Sequence, residues 1–228
     1  MKRSEINQLI RESIEFFNQM NFKLPPWAFW KPADWKGKYE TCSEITENML
    51  GWDLTDFGSG DFHQRGLILF TLRNGNLKKD KKPYAEKAMI VEENQETPMH
   101  FHWGKMEDII NRGGGNLLIK VYNSTEDGKY ADTDVKINQD GREYMVPAGS
   151  DIRLMPGESI TIYRGLYHAF AVEKGTGDVL IGEVSMCNDD NTDNHFHDDL
   201  GRFPDLEEDE PAYRLLCNEY PQADAHAC

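Results

Sequence analysis

No run of about 18 apolar residues occurs anywhere in this chain, which excludes a helical membrane span. Cysteine is scarce: Cys42, Cys187, Cys217 and Cys228 lie far apart. They show none of the short paired spacings of a metal knuckle or disulfide frame, and read as free thiols of a reducing compartment. Positive charge is outnumbered, with 25 Lys and Arg against 40 Asp and Glu and a net charge of −15. Binding a phosphate backbone needs basic patches, so nucleic acid is excluded as a partner. The opening Met1-Lys2-Arg3-Ser4-Glu5-Ile6 has no apolar stretch of the secretory kind. With the thiols, this gives an expectation of cytoplasmic location. Internal repeats, low-complexity linkers and amphipathic helices between strands are also missing beyond about residue 60.

The chain has 228 residues, 39% of them hydrophobic, enough to bury a core without covalent staples. Ile6, Leu9, Ile10, Ile14, Phe17 and Met20 recur at helical spacing, predicting a helix over 4–20 with Ser4 as cap. Pro25 and Pro26 bar its continuation. Trp27, Phe29, Trp30 and Trp35 form an aromatic patch, suited to packing under a loop or to walling a sugar pocket. Short apolar runs then alternate with turns: 66–72 before Asn74-Gly75, 87–91, 116–122, 134–138, 143–146, 151–154, 159–163 and 179–185. Strands without intervening helices predict a mainly β, antiparallel sandwich or barrel. The expected organisation is a single domain, with a helical extension over about 1–60 and a barrel over about 61–200. A terminal helix is expected near 211–220, capped by Asp209. The acidic run 205–210 reads as a solvated loop.

The chemistry concentrates at Met99-His100-Phe101-His102-Trp103-Gly104-Lys105-Met106-Glu107. On a strand, His100 and His102 share a face because side chains alternate with period two. Paired histidines also occur in ordinary strands, so the pair alone is weak. Glu107 nearby and His168 farther along complete a set of nitrogen and oxygen donors suited to Mn, Fe, Co, Ni or Zn. A second pair, His195 and His197, lies in an acidic stretch without a strand pattern and reads as surface.

His100-x-His102, four residues, Glu107 and then Gly113-Gly114 resemble the first motif of the cupins; Pro156-Gly157 with His168 resembles the second. The stretch between the motifs is long, and Ala169-Phe170-Ala171-Val172 stands where an Asn is expected. Further segments are more specific: Ala85-Glu86-Lys87, Gln95 to Pro98, Trp103, Lys105, Asn111-Arg112-Gly113-Gly114-Gly115, Gly182 to Asp190, and Asp193-Asn194. From about Ala85 to Phe196 the chain resembles the D-lyxose isomerase family. The resemblance implies a cupin jelly-roll barrel with N-terminal and C-terminal helices. It also implies a metal held by His100, His102, Glu107 and His168, and Mn(II) as cofactor, with other divalent ions serving too. The implied enzyme is a cytoplasmic homodimer acting on a small sugar, interconverting D-lyxose and D-xylulose and also D-mannose and D-fructose. Competing expectations are another cupin enzyme, such as a dioxygenase or phosphosugar isomerase, or a non-catalytic sugar-binding cupin.

Moving a carbonyl between C1 and C2 needs a Lewis acid on the oxygens and a base that carries a proton. Glu183, a carboxylate inside the apolar run 179–184, is the leading candidate base, because burying it is costly unless it is paired or functional. Lys105 is the second candidate; beside a dication its pKa should fall toward neutrality. Lys87, Trp103, Asp190 and Asp193 are candidates for substrate contact. Each also has a plain alternative: surface or packing for the first two, turn formation for the aspartates.

Overall fold

The computed structural model describes residues 1–79, 81–187, 193–198, 200–201 and 204–221. Helix α1 (Arg3–Gln19) comes first, followed by single turns of 3-10 helix and α2 (Ser43–Glu47). The strands are β1 (Gly51–Thr55), β2 (Leu67–Asn74), β3 (Tyr84–Val91), β4 (His100–His102), β5 (Glu107–Gly114), β6 (Leu117–Ser124) and β7 (Tyr130–Ala131). Then come β8 (Val135–Gln139), β9 (Arg142–Val146), β10 (Asp151–Leu154), β11 (Ser159–Ile162), β12 (Leu166–Val172), β13 (Val179–Met186) and β14 (Asn194–Phe196). Two curled sheets result, ordered β1-β2-β3-β13-β5-β11-β8-β9 and β10-β6-β12-β4-β14. Neighbouring strands run antiparallel, as in β2 with β3, β13 with β5 and β12 with β6. This is the mainly β, cupin-like architecture that the sequence predicts.

Period-two alternation sorts the eight-stranded sheet into two apolar faces. Leu69, Met89, Val91, Ile109, Val179 and Ile181 point inward and meet Leu117, Ile119, Val121, Phe170 and Val172 of the other sheet. Their neighbours Ile68, Phe70, Ala88, Ile90 and Leu180 point outward and are covered by Ile6, Leu9, Ile10 and Phe17 of α1. Strands covered on both faces read as near-continuous apolar runs, which is why β2, β3 and β13 stand out in the sequence. The aromatic patch packs: Trp35 and Tyr220 stack at 4.3 Å, and Trp27 lies on Phe70 at 4.9 Å.

Two terminal expectations need correction. Residues 211–220 are not helical. The backbone there is held by long-range partners instead: Tyr213 N donates to Asn7 Oδ1 at 2.7 Å, and Cys217 N to Trp52 O at 2.7 Å. Residues 205–210 are exposed, as expected of a solvated loop, and are also tied to the start of α1. Buried Arg3 pairs with Glu208 and Glu219, Asn7 donates to Glu210 at 2.6 Å, and Asp209 accepts from Ser4 N at 2.9 Å and Ser4 Oγ at 2.7 Å. Asp209 thus caps α1, with Ser4 inside the helix rather than at its cap. The region expected as a helical extension also contains β1, an edge strand of the larger sheet.

Candidate active site and metal centre

The parity that builds the core also builds the site. On β13, Glu183 follows Val179 and Ile181 on the inner face; on β3, Lys87 precedes Met89 and Val91; on β5, Glu107 precedes Ile109. Register sets Lys87 opposite Glu183, and on the second sheet sets His100 opposite His168. Where the inner face stops being apolar, these groups meet in one pocket with His102 and Lys105. Gly113 and Gly114 (φ +150° and +88°) end β5; a Cβ on Gly114 would stand 2.1 Å from Asp178 O, so only glycine fits there. Asn111 ties the first motif to the second, its N donating to Glu158 O at 3.0 Å and its O accepting from Gly157 N at 2.8 Å.

The three imidazoles converge. The ligand atoms of His100, His102 and His168 all lie within 4.8 Å of one another, a group that could hold one metal ion. His168 Nδ1 lies 3.0 Å from Leu166 O, and His100 Nδ1 lies 3.0 Å from Pro98 O. A carbonyl only accepts, so each Nδ1 carries the proton and a neutral ring turns a lone pair outward at Nε2. His168 Nε2 faces Glu107 Oε1 at 3.1 Å, and His102 Nε2 faces the same oxygen at 3.4 Å. Both nitrogens are buried without a hydrogen bond. Acceptors directed at one another in a dry site repel unless a cation stands among them. The donor set therefore fits a divalent metal on chemical grounds.

Electrostatics agree. Burial, then the neighbouring His168 and His102, pushes His100 well below the ordinary imidazole range. Burial also lowers His102, against the pull of Glu107. For Glu107, burial acts upward, but the Lys105 ammonium and His102 outweigh it and hold the carboxyl well below the usual carboxylate range.

Lys105 bridges two carboxylates, Glu107 Oε2 at 2.7 Å and Glu183 Oε1 at 3.1 Å. Lys87 Nζ approaches Glu183 Oε1 at 3.6 Å, and Ser185 Oγ donates to it at 2.9 Å. Asp193 is occupied by backbone: it accepts from Gly104 N at 2.6 Å and Lys105 N at 3.1 Å, and stands 3.8 Å from His102 Nδ1. It clamps the turn that carries Lys105. Trp103 is not among the pocket's lining residues: it follows the last inward histidine, is 55% exposed, and meets the Phe101 and His195 rings edge-on. His195 lies on β14 rather than in a loop, half-buried among those rings, while His197 is exposed and stacks on Tyr130 at 4.1 Å. Asp190 lies outside the described residues. Sequence reasoning passed over Ser185, Thr55, Phe57 and Phe196, the last three of which line the pocket. Inward parity on β13 was the signal available for Ser185.

An antiparallel two-sheet barrel with three converging imidazoles beside a buried carboxylate in one pocket defines a class: the cupin-like barrels with a group that could hold a metal ion. Comparison with known proteins narrows it. The D-lyxose isomerase family profile matches residues 1–220. A D-lyxose/D-mannose isomerase of Escherichia coli O157:H7 is 50% identical over 97% of this chain and 99% of its own. One of Serratia proteamaculans is 50% identical over 96% and 98%. An L-ribose isomerase of Cellulomonas parahominis, solved with L-ribose, shares the fold at 15% identity, with a TM-score of 0.59 over 91% of this chain and 98% of that one. The chain belongs to the D-lyxose isomerase family and is an isomerase.

Proposed function

We propose that this enzyme interconverts D-lyxose and D-xylulose, and D-mannose and D-fructose, with Mn(II) held by His100, His102, Glu107 and His168. The observation that carries the reading is the set of buried imidazole nitrogens without hydrogen bonds facing Glu107 Oε1, in one pocket with Glu183. The bound ion would act as the Lewis acid that polarises the sugar carbonyl and makes its neighbouring C–H acidic. Glu183 takes the proton from C2 of the aldose and returns it to C1, through an enediol, while the hydroxyl proton of O2 passes to O1. Its Oε1 is fixed by Ser185 and the two lysines, which leaves Oε2 for the transfer. Lys105, clamped by Asp193, holds the positive charge between Glu107 and Glu183. Lys87 binds a sugar hydroxyl beside them.

A phosphosugar substrate is less well served. Both pocket lysines already face carboxylates, and Arg164 is turned to Gly104 O at 2.6 Å, so a phosphate would lack its usual cation cluster. The expectation of a cytoplasmic homodimer is retained on the family resemblance. No helix among the described residues is long and apolar enough to cross a membrane.

The test is to strip the protein of metal, restore Mn(II) or nothing, and follow D-xylulose from D-lyxose and D-fructose from D-mannose. Manganese-dependent formation of both ketoses is expected. Ketose formation unaffected by stripping would remove the metal role, and one metal per chain without any product would remove the sugar assignment.

A further inference from the structure

The pocket is lined by both charged and apolar residues, and one of the apolar ones holds an unfavourable backbone conformation. Phe57, in the turn after β1, has φ +52°. A bulky residue rarely enters this left-handed region, and strain of this kind, of order 1–3 kcal/mol, persists where the surroundings impose it. The turn is fixed by local bonds: Phe57 N donates to Thr55 Oγ1 at 2.9 Å, Gly58 N to Asp56 Oδ1 at 3.0 Å, and Ser59 N to Asp56 O at 2.9 Å. Glycine would adopt this conformation freely, yet the position carries a phenyl ring that is only 7% exposed.

Membership of a core does not account for that ring, because Phe57 belongs to none of the apolar clusters between the sheets, under α1 or around Trp35. It lines the pocket that contains His100, Lys105, Glu107 and Glu183. It meets Phe196 edge-on at 6.0 Å, and Phe196 lies against the His100 ring at 5.3 Å. The two phenyl rings therefore continue from the His100 ring along the pocket lining.

We propose that Phe57, backed by Phe196, is the wall that sets which chain length of sugar the pocket prefers. This rests on the isomerase reading of the same site. The reacting end, C1 and C2, belongs with Glu183 and the histidines, so the carbons remote from it meet the rings. An aromatic face accepts sugar C–H groups. A further hydroxymethyl group would have to bury its hydroxyl against the ring without a hydrogen-bond partner, which is unfavourable. The ring thereby favours five-carbon aldoses over six-carbon ones. A difference of one carbon unit in such a pocket changes discrimination by about 10–200-fold.

Phe57→Ala is expected to raise the ratio of kcat/KM for D-mannose to that for D-lyxose by about tenfold. The change should fall mainly on KM, because the contact is made equally in ground and transition states, and manganese per chain should stay constant. Phe57→Gly opens the same space and removes the backbone strain. It should show the same change in ratio and melt no lower than Phe57→Ala. Binding of D-arabinitol and D-mannitol, measured by calorimetry on the manganese-loaded protein, reads the wall without turnover, and both variants should shift toward the hexitol. An unchanged substrate ratio in both variants overturns the proposal. If the wild type turns over no aldose, the isomerase reading fails and the polyols decide alone: an unchanged preference, or no binding of either, overturns the wall as well.

Discussion

Strands β3 and β13 carry carboxylate chemistry at both ends, and the two ends are built in opposite ways. At one, Lys87 and Glu183 are buried with Lys105 and Glu107 in a chain of alternating charge. At the other, Glu93 sits at the surface just past β3 and accepts from Gly175 N and Gly177 N, each at 2.9 Å, closing the turn into β13. Between them the inward face is apolar, with Met89, Val91, Val179 and Ile181. The surface carboxylate organises backbone at little desolvation cost. The buried set is poor stabilising material, because removing ions from water offsets most of their attraction. On this strand pair, buried charge is found only where it lines the pocket.

Substitutions along this one strand pair test the contrast. Glu183→Gln keeps size and hydrogen bonding but not basicity; kcat should fall by about 10²–10⁴-fold, with manganese binding little changed. A variant with near-normal kcat would remove Glu183 from the base role. Ile181→Ala, two residues away on the same face, should do the reverse. It costs about 3 kcal/mol of stability from the cavity it leaves, measurable by denaturant unfolding, while kcat at a temperature well below its melting point stays within about threefold. The smallest effect belongs to Glu93→Gln, and it depends on pH. The two glycine N–H groups hold the Glu93 carboxyl below its ordinary value. Its contribution is therefore complete above the unfolded carboxylate pKa of about 4.3 and vanishes as pH falls through the lower folded value. Melting curves should separate the variant from wild type at pH 7 and converge in acid; a separation that persists unchanged at low pH would show that the carboxylate charge is not responsible.

What could be read from the sequence was whatever repeats with a local period. Period two set His100 and His102 on one face, and predicted that a carboxylate at 183 in an apolar strand would need a reason to be there. Helical period gave α1 within a residue of its ends. Contacts with no local signature stayed hidden. Asp209 sits where a cap for a following helix would sit, but it caps a helix 205 residues earlier. The apolar residues of 211–220 suggested a helix, yet Tyr213 N and Cys217 N are taken by Asn7 and by Trp52 on β1. Tertiary hydrogen bonds won over propensity there. Trp103, offered by the sequence as a pocket wall or as packing, falls on the face opposite His102, where the chain turns under the Asp193 clamp. Phe57 carried no signal, because a left-handed backbone at a residue other than glycine is imposed by its surroundings.

The clasp of Arg3, Ser4 and Asn7 on residues 208–219 also has a meaning in time. These side chains are synthesised more than 200 positions before their partners. While the chain is still growing on a ribosome, the first turn of α1 has neither its acidic cap nor the counter-ions of its buried guanidinium. Contacts this distant in sequence form late, after the loop-closure entropy between them has been overcome. The helix that covers the outer face of the large sheet is therefore locked down as a closing event of folding, by residues that leave the ribosome after every strand of the barrel has been made.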